Sequence, residues 1–173
     1  LPVYEIDENT LKRIAESSAS ELEKVFSLLA SIADKVKKDG WENPILFSIG
    51  ERAELISQLF QARQKNTQET LKELSELITE INAVESERKT MNLSPQAFSV
   101  FRILKENHIH SAEEIARLAN NIFAQYPYWG KSSEQLRTVK QELYSLFLNK
   151  GITTEQSYDL INKIIQLIRR AQE

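Results

Sequence analysis

Gly151-Ile152-Thr153-Thr154-Glu155-Gln156-Ser157-Tyr158-Asp159-Leu160-Ile161-Asn162-Lys163-Ile164-Ile165-Gln166-Leu167-Ile168-Arg169-Arg170 holds, in twenty residues, a stop, a start and an amphipathic run. Gly151 suits the turn that ends a preceding helix. Thr153 and Gln156 stand at the spacing of a reciprocal cap, in which each side chain satisfies an orphan amide of the first turn. Tyr158, Leu160, Ile161, Ile164, Ile165, Leu167 and Ile168 then cover a wide arc of the helix. That arc predicts a helix sandwiched between neighbours.

The same grammar repeats upstream. Ser132 or Ser133 opens a helix carrying Leu136, Val139, Leu143, Tyr144 and Phe147, which Gly151 closes. Ser111 with Glu114 opens Ile115, Leu118, Ala119, Ile122, Phe123 and Tyr126, and Pro127 ends it, because a proline disfavours helical geometry in the residue before it. Ser94 as cap and Pro95 at the first helical position introduce Phe98, Phe101 and Leu104 up to His108 and Ile109. Asn66 with Glu69 starts a long helix through Leu71, Leu74, Leu77, Ile78, Ile81 and Val84, fading into a polar tail, Glu85 to Thr90, expected to be exposed or mobile. Ser48 with Glu51 is read as opening a third helix after a loop Trp41 to Phe47, with Ala53, Ile56, Leu59 and Phe60 buried and an end near Lys65. A second helix, capped by Ser18 or Ser20, runs to about Lys38 on Leu22, Val25, Phe26, Leu29, Ile32, Ala33 and Val36, and Gly40 stops it. A short first helix lies around Thr10 to Glu16.

The expected fold is all-α, seven or eight helices in a compact bundle-like domain with a short extended N-terminal segment. Four glycines and four prolines in 173 residues are too few to punctuate many strands, which agrees with long helices and short connections. Residues 1–9 read as an extended linker from an upstream domain and 10–173 as the helical domain, with halves at 10–92 and 93–173. Val3-Tyr4-Glu5-Ile6 is strand-like without a partner strand, so the chain reads as cut from something larger.

Composition removes several function classes. There is no cysteine, so disulfides, thiolate chemistry and the usual zinc sites drop out, in keeping with a reducing cytoplasm. Apolar stretches are broken by charges well short of a membrane span, and no basic-then-apolar signal opens the chain, so a cytoplasmic location is expected. A net charge of -3 gives no global pull on phosphate backbones. The local clusters Lys35, Lys37, Lys38 and Arg169, Arg170 sit where cations favour helix C-termini.

Catalytic constellations fail residue by residue. The glycines, Gly40, Gly50, Gly130 and Gly151, lie at least ten residues apart, which excludes a phosphate-cradling loop. A di-iron or di-manganese bundle needs a glutamate three residues before a histidine, whereas Lys105 precedes His108 and Asn107 precedes His110. The two histidines lack further ligands beside them, and no cofactor is expected. The serines are explained as caps. Glu73, Glu76 and Glu80 read as solvated partners of lysines.

One segment exceeds what a turn requires. Tyr126-Pro127-Tyr128-Trp129-Gly130-Lys131-Ser132 places three large aromatics in an interhelical loop. They either fill a satellite core against the flanking helices or form an anchor surface for a partner.

Val3-Tyr4-Glu5-Ile6, Ser48-Ile49-Gly50-Glu51-Arg52-Ala53-Glu54 and Leu93-Ser94-Pro95-Gln96-Ala97-Phe98 carry a resemblance. Phe123 and Tyr126-Pro127-x-Trp129, followed by Ser132, Gln135, Arg137 and Leu143-Tyr144, are its most specific part. Across nearly its whole length the chain resembles the C-terminal helical domain of the restriction (motor) subunit, HsdR, of type I restriction-modification enzymes. The resemblance implies a parent subunit with an upstream endonuclease domain and two RecA-like ATP-dependent translocase domains, the present domain joining it to the methyltransferase core. On that view the fragment neither hydrolyses ATP nor cuts DNA, and its partners are the methyltransferase (M) and specificity (S) subunits and the upstream motor domains. Tyr126, Tyr128 and Trp129 are the partner-binding candidates. A second reading is direct contact with duplex DNA, with Lys131, Arg137, Lys140, Arg169 and Arg170 on phosphates and the aromatics stacking on bases.

Overall fold

The computed structural model describes residues 1–173 as eight helices and no strand. They are α1 (Thr10–Glu16), α2 (Glu21–Asp39), α3 (Ile45–Gln61), α4 (Thr67–Met91), α5 (Pro95–Glu106), α6 (Ala112–Gln125), α7 (Ser133–Asn149) and α8 (Thr154–Gln172). The all-α class read from the caps is the class observed. No helix is long and apolar enough to cross a membrane.

The chain divides into two compact units, Leu1–Gly40 with Ile45–Thr90, and Trp41–Pro44 with Met91–Glu173. Residues 1–9 belong to the first unit and are not a separate linker. The Tyr4 amide donates to Ser31 Oγ at 2.8 Å, Thr10 Oγ1 and Arg13 Nη2 both donate to the Glu5 carbonyl at 2.9 Å, and Ile6 is buried. The extended segment thus satisfies its polar groups with side chains rather than with a second strand.

In the first unit α2 packs on α3. The buried face of α2 is Val25, Leu28 and Ile32 together with Ser27 and Ser31, while Leu22, Phe26 and Ala33 lie exposed. The stripe is therefore rotated from the purely apolar one expected; Ser31 is buried at no polar cost because it donates to the Ser27 carbonyl at 2.7 Å and accepts from the Tyr4 amide. Ser20, not Ser18, is the cap, accepting from the Glu23 amide. Gly40 ends α2 with a right-handed φ of -60°, so glycine is required there for space: a Cβ would sit 2.6 Å from the Phe47 ring.

Two boundaries differ from expectation. α3 begins at Ile45, one turn before Ser48, since Ile45 and Leu46 are both buried, and Ser48 Oγ donates back to the Ile45 carbonyl at 2.7 Å. α4 runs through the polar stretch to Met91, because Glu85 is held by Lys35 and by Arg88, both ion pairs largely shielded from water. Asn66 caps α4 reciprocally with Glu69 as expected.

In the second unit α5 packs on α6 and α8, and α7 packs on α6 and α8. Phe98, Leu104, Ile115, Leu143, Phe147 and Ile164 are fully or almost fully buried, and α8, touching both α5 and α7, is the sandwiched helix its wide arc predicts. Ser94, Ser132 and Thr153 cap α5, α7 and α8 through the amides of Ala97, Gln135 and Gln156. Ser111 does not cap α6 with its side chain; it adopts a left-handed conformation, φ 61°, and only its carbonyl serves the helix. Gly151, at φ 87°, makes the turn into α8.

Candidate functional site

The loop between α6 and α7 is a small built object. The Trp129 amide donates to the Tyr126 carbonyl at 3.1 Å, and the Tyr128 carbonyl accepts from both Lys131 and Ser132 at 2.9 and 2.8 Å. The Tyr128 amide donates to Gln135 Oε1 at 2.8 Å, while the Gln135 amide donates to Ser132 Oγ at 3.2 Å. From Tyr126 to Ser132 every backbone amide except that of Gly130 donates within the chain, which holds the backbone of the turn in place.

Burial divides the three aromatics. Trp129 is 3% exposed and packs on Phe123, ring centroids 5.3 Å apart. It has no face to offer a partner, which corrects its assignment as an anchor: burial of the large indole against α6 stabilises the loop more than exposing it would. Tyr126 is half-buried, and the Glu142 carboxylate of α7, as hydrogen-bond acceptor and with burial, raises the Tyr126 pKa above its ordinary value. Tyr128 alone points outward, 66% exposed.

Beside Tyr128 lies a cleft of about 400 Å³ lined by Pro127, Gly130, Lys131, Arg169 and the C-terminal Gln172 and Glu173. Lys131 and Arg169, far apart in sequence, are thereby brought together. Lys140 lies elsewhere, in a shallow groove of about 250 Å³ formed with Gln141 and Tyr144 of α7 and Tyr158, Ile161 and Asn162 of α8. Arg137, three residues before Lys140, shares its face of α7. Arg170 is exposed but already engaged within the chain. Periodicity places Tyr144 and Tyr158 with the core, whereas Tyr158 is 65% exposed. Its signal was available in the polar Asp159 and Asn162 beside it.

The cations of the second unit, Arg170 aside, fall into two groups. Arg102, Arg117 and Lys150 pair with Glu106, Glu113 and Glu114, and Lys105 stands over the Phe101 ring. Lys131, Arg137, Lys140, Lys163 and Arg169 have no carboxylate in ion-pair reach. All five lie on α7, on α8 or in the turn that leads into α7. No cluster of three or more histidine and acidic side chains is arranged to hold a metal ion.

A scan of protein-family models, a search of curated proteins and a search of solved structures each returned no match to this chain.

Proposed function

We propose that this chain is a non-catalytic docking module, the C-terminal helical domain of a type I restriction-modification R subunit, which holds the ATP-dependent translocase and endonuclease subunit against the methyltransferase and specificity core. The observation that carries the docking part is Tyr128: an exposed aromatic on a hydrogen-bonded turn, beside a cleft flanked by Lys131 and Arg169. Tyrosine and arginine dominate binding hot spots. A side chain whose backbone is already fixed loses little further freedom on binding, so more of its contact energy appears as affinity. The subunit assignment rests on the residue resemblance described above.

The test is a pull-down of the chain with a reconstituted methyltransferase–specificity core. Tyr128→Ala and Arg169→Ala are expected to weaken capture with helicity unchanged; capture by both variants equal to that of the unsubstituted chain sinks the assignment of the contact.

One observation favours a second reading, contact with DNA. Within the second unit, the cations without carboxylate partners lie on α7, α8 and the turn before α7, where they can neutralise phosphates without first breaking an internal ion pair. By charge the second unit is also the less acidic, with ten cations against nine carboxylates, where the first has twelve against sixteen.

A further inference from the structure

The two hollows on α7 and α8 are the ends of one strip. Arg137, Lys140, Gln141 and Tyr144 fall at i, i+3, i+4 and i+7, one face of α7. Tyr158, Asn162 and Arg169 fall at i, i+4 and i+11, one face of α8. The short turn Lys150–Thr153 sets the helices antiparallel, so Tyr144 meets Tyr158 at one end, and Gly130 and Lys131 meet Arg169 and Gln172 at the other. Eleven residues of α8 separate Tyr158 from Arg169, a span of ~16 Å at ~1.5 Å per residue.

Along that span the chemistry alternates. An exposed tyrosine stands at each end, Tyr128 and Tyr158, and Arg137, Lys140, Lys131 and Arg169 lie between or beside them. Glu134, Asp159 and Glu173 border the strip, and none is within ion-pair reach of these four cations. Unpaired cations alone would fit any polyanion. Aromatic faces beside them select further: a duplex hides its base faces inside the stack, and a run of Asp and Glu carries no aromatic face. A single strand offers both phosphates and bases.

We propose that the α7–α8 strip binds single-stranded nucleic acid over a few nucleotides, with Lys131, Arg137, Lys140 and Arg169 on phosphates and Tyr128 and Tyr158 stacking on bases. This rests on the second reading above and narrows it to one strand and one face.

The experiment is fluorescence anisotropy of the full chain with a labelled oligothymidylate and with a labelled hairpin duplex of similar charge, titrated in salt, with polyglutamate as competitor. Four phosphate contacts predict a log–log salt slope of about -3 on the single strand, at roughly -0.7 per contact. The double variant Arg137→Gln/Lys140→Gln should bring it to about half. Tyr158→Leu should weaken binding at least about fivefold while leaving the slope unchanged, since stacking is not a charge contact. Arg117→Gln, which removes a cation of α6 already paired with Glu113, should change neither. Circular dichroism checks each fold; the substituted α7 and α8 side chains have no internal ion pair to lose. Duplex bound as tightly as the single strand overturns this inference and leaves the DNA reading standing. No binding of either at low salt overturns both. Equal displacement by polyglutamate, or a slope indifferent to the double variant, overturns the strip.

Discussion

Trp129→Ala separates a packing residue from a docking residue. The indole is 3% exposed and stacked at a tilt on Phe123, so truncation removes most of a buried aromatic side chain and leaves a cavity under the loop. Large aromatic-to-alanine changes in cores cost ~3–5 kcal/mol, of which the ring pair accounts for roughly 0.5–1.5 kcal/mol. The loop is anchored at α6 and α7 and carries Gln135 and Ser132 in its hydrogen bonds, so it cannot easily collapse into the space. A loss near 4 kcal/mol is therefore expected, a large share of the ~5–15 kcal/mol that holds a typical domain. Tyr128→Ala, one residue away but 66% exposed, should cost under about 0.5 kcal/mol. The assay is urea unfolding followed by far-ultraviolet circular dichroism. A Trp129→Ala loss below about 1 kcal/mol, or equal losses at both positions, would refute the division of the loop into an inner and an outer aromatic.

Glycine substitutions should rank by what a methyl group meets. Gly40→Ala brings a Cβ to 2.6 Å from the Phe47 ring and should destabilise by ~1–3 kcal/mol in chemical denaturation. Gly130→Ala meets only the flexible end of Gln172 and should cost less than Gly40→Ala in the same measurement. Gly151→Ala meets nothing but forces a left-handed φ of 87° on alanine, for about 1–2 kcal/mol. Ser94→Ala removes the α5 cap and its contact with Asn120, for ~1 kcal/mol or somewhat more. Acid titration tests Glu114: its hydrogen bond from Lys150 and the neighbouring positive charge hold its pKa below the ordinary 4.5. The stability this supplies is present above that value and is lost as pH falls through the depressed one. Glu114→Gln should flatten that part of the stability curve; an unchanged curve would show the pair to be inert in solution.

The helix count and most caps were legible because a capping side chain acts within four residues of itself. Ser20, Asn66, Ser94, Ser132 and Thr153 each find their amide locally, whatever the rest of the chain does. The misplacements have tertiary causes. α3 gains a turn because Ile45 and Leu46 are buried, and the polar end of α4 stays helical because Lys35, fifty residues away, reaches Glu85. Ser27 and Ser31 are buried on α2 against their polarity, and Ser31 is satisfied by its own helix and by the Tyr4 amide, twenty-seven residues away. The aromatic loop was legible as an excess of rings, but which ring turns inward depends on Phe123 and the bonds that pin the turn. Lys131 meeting Arg169, and Tyr144 meeting Tyr158, follow from the antiparallel return of α8 and have no signature in a linear spacing.

The central claim, that the chain docks a motor subunit through the outward side of the Tyr128 loop, is tested most directly by the equilibrium affinity of the purified chain for the methyltransferase–specificity core. Unsubstituted protein and Tyr128→Ala/Arg169→Ala would be compared by interferometry or calorimetry. The account predicts saturable binding that falls at least about tenfold in the variant, the equivalent of ~1.4 kcal/mol, with both proteins equally folded. Saturable binding that is the same for both, or no binding of the unsubstituted chain, would contradict it.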